Sequence, residues 1–233
     1  MSWLNAYVKS SVGAKHVMAL TGLALVLFVL VHMLGNLLVY AGPDAINSYA
    51  ATLKGNPGLL WGARLGLLGA VALHIAAGLR LTALNRLARP QKYAVYRPTR
   101  SPFYARAMAM SGLILLAFIV YHLLHFTVGT VQPDYFASTE VLAAGETRHD
   151  VYTMVVQSFG HWEVVASYLV AMVLLCMHLA HGVTSLFQSL GLEHPRYNQA
   201  IRYAGPGFAT VVFLGNCSMP LAVYFGAITI PGT

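Results

Sequence analysis

The chain has 233 residues, of which 58% are apolar and only 9% charged, with a formal net charge of +7. That leaves too little polar surface to cover a water-soluble globule of this size, so the composition excludes a soluble enzyme and indicates an integral membrane protein. A membrane-embedded chain with one dense basic loop is equally poor material for binding nucleic acid.

The first apolar run, 17–40, follows Lys9 and Lys15 and has the look of a signal peptide. It is too long for one and no small-residue cleavage site follows, so it is expected to persist as a first helix. Runs 59–84, 107–129, 164–187 and 206–230 come next. Each of the five is near the roughly 20 residues needed to cross ~30 Å of hydrocarbon. All are expected to be helical, because lipid offers the backbone no hydrogen-bond partners. The expected fold is all-α: a bundle of five transmembrane helices forming one domain over 1–233. The connections 41–58 and 130–163 share one side, and the second is long enough to fold over the membrane surface.

Basic residues set the expected orientation. Lys9, Lys15, Arg80, Arg86, Arg89, Lys92, Arg97, Arg100, Arg106, Arg196 and Arg202 fall on the side of the amino terminus, against Lys54, Arg64 and Arg148 on the other. The amino terminus is therefore expected in the cytoplasm and the carboxyl terminus outside. Asp44, Asp134, Glu140, Glu146, Asp150 and Glu163 lie on or near the outer side. Insertion and anionic headgroups account for much of the basic face. The run 86–106 adds Pro90, Pro98, Pro102, Tyr93 and Tyr96, which reads as an ordered loop able to meet a soluble partner.

Four histidines, His32, His74, His122 and His178, sit one apiece in the first four runs. An imidazole in hydrocarbon is costly unless something satisfies it; a single one is commonly a packing residue or part of a proton path, whereas four on separate helices suggest a shared ligand. His32 lies 17 residues beyond Lys15 and His122 lies 16 beyond Arg106, roughly 25 Å from the cytoplasmic charges at the helical rise. His74 lies 6 residues before Arg80, and His178 is 9 before Phe187, nearer the cytoplasm. Two pairs at two depths suit two bis-histidine haems, each iron taking one imidazole from either side of its ring. His74 and His178 are each followed four residues later by glycine, Gly78 and Gly182, on the same helical face, which leaves room for a porphyrin edge. Close helix packing is the competing use of those glycines.

His125 and His181, three residues after His122 and His178, are open to three roles: rival ligands, hydrogen-bond donors to the ligands, or packing. The H-x-x-H pairs lack the cysteine or carboxylate company of a zinc site. Cys176 and Cys217 lie within the apolar runs and no C-x-x-C-H occurs, which excludes a covalently attached c-type haem.

The segments SSVGAKHVMALTGLALVLFVLVHMLGN, LHIAAGLR, VYHLLHF and MHLAHGVTSLF resemble the cytochrome b558 membrane anchor of succinate dehydrogenase and fumarate reductase, the five-helix dihaem type. The likeness covers nearly the whole chain, although the fifth helix matches only as a hydrophobic span. It implies that His32 and His122 hold an outer haem b, and His74 and His178 an inner one. It implies docking of an iron-sulfur subunit and a flavoprotein subunit on the cytoplasmic face of a bacterial inner membrane, and electron exchange with a quinone, typically menaquinone. FAD, the iron-sulfur clusters and the dicarboxylate active site would belong to those partner chains.

For a haem propionate or the quinone, the available residues are Lys15, His16 and Arg80 on the inner side, and His161, Glu163, Asp44 and Arg64 on the outer side. The chain departs from some family members in having no glutamate between Asn47 and His74, and Glu163 is the residue that could stand in. Two other classes fit parts of the pattern: the cytochrome b subunit of a formate dehydrogenase or hydrogenase, where fewer helices would supply more than one ligand each, and a non-redox transporter. Broken helices or inverted repeats would have pointed to the last.

Overall fold

A computed structural model describes residues 2–88, 91 and 102–232. In chain order the helices are α1 (Trp3–Lys9), α2 (Ser11–Asn36), α3 (Pro43–Lys54), α4 (Pro57–Leu87), α5 (Phe103–Arg106), α6 (Met108–Leu123), α7 (Pro133–Phe136), α8 (Val151–Phe159), α9 (Trp162–Ser189) and α10 (Asn198–Tyr224). A small antiparallel hairpin, β1 (Thr139–Val141) with β2 (Thr147–His149), stands between α7 and α8 and pairs Glu140 with Arg148. Most of the 86–106 loop, including the docking surface expected there, lies outside the described residues.

Among the described residues, five helices are long and apolar enough to cross a membrane: Ser11–Ala41, Pro57–Leu87, Met108–Val128, Trp162–Ser189 and Asn198–Tyr224. They carry exposed Leu20, Leu27, Val31, Leu65, Leu68 and Leu214, a density of bare aliphatic surface that only lipid accepts. The first and second spans extend several residues past the apolar runs, because the helical hydrogen-bond ladder does not stop where hydrocarbon does.

The fifth span differs most from expectation. Its helix begins at Asn198 and ends at Tyr224, rather than covering 206–230. Beyond it Gly226 adopts φ +74, and the amides of Ala227 and Ile228 turn back to the Ala222 carbonyl, closing the end.

Helix ends are chemically marked elsewhere too. Gly42, at φ 96, breaks the first span so that Pro43 can open α3. The Asn56 side chain accepts from the Leu59 amide at the start of α4. After α6 the chain widens into a π-helical turn, Leu124–Val128, which ends at Gly129 with φ 81.

The described chain divides into two compact units, and the division falls within each of the five long helices. The first comprises 1–28, 64–113 and 176–210; the second comprises 29–63, 114–175 and 211–233. In the second, Val39, Ile46, Tyr152, Phe159, Tyr168 and Val223 belong to one buried apolar cluster. Elements whose backbones run close together there are α3, α7, α8 and the hairpin.

Those short elements form a cap held by polar groups around buried Asn47. Asn47, 0% exposed, donates to Glu140 (2.8 Å) and Asp150 (2.9 Å) and accepts from the Tyr152 amide (2.9 Å). Arg148 donates to Ser48 and Asp44, each at 2.7 Å, and to Glu140. The hydrogen bond and charge of Arg148 hold the Asp44 carboxyl below its usual range. Burial raises Asp150, but hydrogen bonds from Thr153 and Asn47 outweigh it and bring that carboxyl below its usual range as well.

Candidate functional site

His74 on α4 and His178 on α9 belong to the first unit, and their ring centroids are 6.3 Å apart. Each has its Nδ1 beside a hydroxyl from another helix: Thr21 Oγ1 on α2 is 3.2 Å from His74, and Ser111 Oγ on α6 is 3.2 Å from His178. The Met18 carbonyl is a second neighbour of His74 Nδ1, also at 3.2 Å. Both hydroxyls donate to carbonyls of their own helices, Thr21 to Val17 (2.7 Å) and Ser111 to Met108 (3.2 Å). With the hydrogen spent there, the oxygen lone pairs accept Nδ1–H, and Nε2 is the nitrogen left for a metal.

A glycine follows each hydroxyl. A Cβ on Gly22 would stand 3.3 Å from His74 Cε1, and one on Gly112 would stand 3.4 Å from His178 Cε1. The glycines therefore let the imidazoles lie against the neighbouring helix.

His32 on α2 and His122 on α6 belong to the second unit, with centroids 5.7 Å apart and rings nearly perpendicular. His122 packs among Phe118, Phe126 and Tyr168. Tyr168 Oη lies 3.1 Å from His122 Nδ1 and 3.1 Å from His125 Nδ1, while His125 Nε2 lies 2.8 Å from Gln132 Oε1. His125, 1% exposed, thus has both nitrogens engaged within the protein and is no rival ligand. His181 is half-buried and faces Tyr104 on α5, with centroids 6.4 Å apart.

The two separations test whether an iron fits. Metal–imidazole bonds of about 2 Å on opposite sides of one ion put ring centroids roughly 6 Å apart. Both pairs have that spacing, with the four histidines half-buried. A Cβ on Gly182 would meet nothing within 4 Å, and one on Gly78 only the Met18 sulfur at 3.9 Å, so space remains along those faces. The donor set of two neutral imidazoles suits a low-spin haem with both axial positions filled.

The weaker candidates separate into two groups. His16 Nδ1 is 2.9 Å from the Tyr7 hydroxyl and 3.0 Å from the Val12 carbonyl, Arg80 donates to the Lys9 carbonyl, and Lys15 is exposed. His16 and Arg80 thus hold the amino-terminal segment. On the other side Tyr135 Oη is 2.9 Å from His161 Nε2, and His161 Nδ1 is 3.7 Å from Glu163. Asp44 is committed to Arg148, and Arg64 is exposed.

Thr21, Ser111, Tyr168 and Gln132 were not singled out by sequence reasoning, yet a signal for the first two exists. The segment MALTGLALVLFVLVH at 18–32 repeats as MAMSGLILLAFIVYH at 108–122, a 90-residue offset that aligns Thr21-Gly22 with Ser111-Gly112 and His32 with His122. Eleven residues separate hydroxyl from histidine in both, three helical turns, so both side chains share a face. The His-x-x-x-Gly spacing of His74–Gly78 also recurs at His178–Gly182, at an offset of 104 residues. Comparison with family models, characterised proteins and solved structures gives no match.

Proposed function

We propose that this chain is the membrane-anchor cytochrome b subunit of a succinate:quinone oxidoreductase, a succinate dehydrogenase or fumarate reductase. The observation that carries the reading is a pair of imidazoles at single-iron spacing in each of two units, one from each of four helices. That distribution favours the dihaem anchor over a formate dehydrogenase or hydrogenase cytochrome, and over a transporter. His74 and His178 hold one haem b, His32 and His122 the other. When bound, each haem supplies a one-electron couple with no open coordination position.

The chain's own residues orient His74, His178 and His122 through Thr21, Ser111 and Tyr168, and surround the His122 site with aromatic rings. Quinone, in this reading menaquinone, exchanges protons on the outer side, where Tyr135 is hydrogen-bonded to His161 and Glu163 lies 3.7 Å from the same ring. The amino terminus faces the cytoplasm of a bacterial inner membrane, and the basic face there receives the iron-sulfur subunit, which connects to the flavoprotein.

The test is a visible spectrum of the purified native complex with haem quantified per chain. Two low-spin b haems, and co-purification of a flavin-bearing subunit with succinate:quinone activity, are expected. One haem or none would sink the assignment.

A further inference from the structure

Gln132 gives direction to a line of hydrogen bonds that ends at His122. Its Oε1, 2.8 Å from His125 Nε2, can only accept, so the proton of the His125 ring is on Nε2. His125 is fully buried and neutral imidazole has one N–H, so its Nδ1 is an acceptor. Tyr168 Oη, 3.1 Å away, must then donate to it. A phenol has one hydrogen; with that spent on His125, only lone pairs remain for His122 Nδ1, also at 3.1 Å. His122 Nδ1 therefore donates, and its Nε2 carries no proton.

We propose that Gln132, His125 and Tyr168 form a polarised relay that fixes His122 in its Nδ1–H tautomer and raises the electron-donating power of its Nε2. This rests on the reading of His122 as an iron ligand. Tyr168, His125 and Gln132 are positioning residues, since none of them touches the metal.

Packing keeps the relay in place. The Tyr168 ring is held edge-on between Phe118 and Phe159, each centroid 5.0 Å away, and His125 stacks on Phe126 at 3.9 Å. The π-helical turn at Leu124–Val128 widens the backbone where His125 sits, and His122 and His125 reach one hydroxyl. Among the described residues no equivalent line leaves His74 or His178, whose hydroxyl partners donate to their own helices.

The experiment is a redox titration of both haems in the native complex. Tyr168→Phe keeps the ring and deletes the acceptor, so the imidazole gives less electron density to oxidised iron. One of the two potentials should rise by about 59 mV, a tenfold shift in a one-electron equilibrium, and the other should stay. Gln132→Leu should raise the same potential by less, and Gln132→Glu, a stronger acceptor at the end of the line, should lower it. If both haems are present and none of these variants moves one potential selectively, the relay is overturned while the dihaem assignment stands. A wild-type complex without haem overturns both. Should Tyr168→Phe fail to assemble, the opposite signs of the two Gln132 variants decide the matter, because a purely structural residue would not produce them.

Discussion

The two histidine pairs have the same donor atoms but are supported differently. At His74 and His178 each ring leans on one short hydroxyl whose hydrogen is anchored within its own helix, a local arrangement repeated twice. At His122 the support is an aromatic shell and a line of three polar side chains reaching half-buried Gln132. If both pairs hold a haem as proposed, ligand type makes them alike, and a difference in potential has to come from what holds the second nitrogen and from burial. The two pairs thus differ in what holds the second nitrogen of each ring and not in the ring itself.

The largest test removes a ligand. His178→Ala and His122→Ala should each lose one haem of two, with the other retained; loss of both from either substitution would break the picture of two separately supported sites. Next comes Gly22→Leu, whose added side chain enters the space occupied by the His74 ring and should cost about 1–3 kcal/mol in overpacking. Haem content at the His74–His178 pair should fall, and the other pair should be untouched.

Asn47→Ala probes the cap instead of either site. It strips partners from Glu140, Asp150 and the Tyr152 amide, so thermal stability should drop by about 1–3 kcal/mol with both haems still bound. Smaller again is Thr21→Val. It should raise the potential of the haem not affected by Tyr168→Phe, and by less, because the Met18 carbonyl remains 3.2 Å from His74 Nδ1 as a substitute acceptor.

Acid gives the mildest effect. Asp44 and Asp150 have carboxyls held below their usual range, so their contribution is complete above the unfolded carboxylate pKa of about 4 and is lost as pH falls through the folded values. A melting temperature that declines only below about pH 4 is expected, with Arg148 charged throughout.

Much of this molecule was legible in its sequence. Five spans follow from apolar runs, since hydrocarbon thickness dictates their length, and the depth of each histidine picks out the pairs whose rings stand 5.7 and 6.3 Å apart. The end of the fifth span was not legible, because the residues up to Ile230 are as apolar as the helix and only Gly226 signals the turn. His122 and His125 were indistinguishable by pattern; a π-helical turn and Gln132, seven residues beyond His125, engage the second nitrogen of His125 and not that of His122. The hydroxyl partners were readable in principle from the 18–32 and 108–122 repeat. Tyr168 was not, because its role depends on α9 meeting α6 through packing that no local spacing encodes.

Asn47 has a consequence for biosynthesis. Its partners Glu140, Asp150 and Tyr152 are synthesised 93, 103 and 105 residues later, after the third span. The amide is made well before the groups that satisfy it, and two of the long helices, α4 and α6, lie between them in the chain. Closure of the cap thus comes late in synthesis, once α4 and α6 have been made, and joins segments about 100 residues apart.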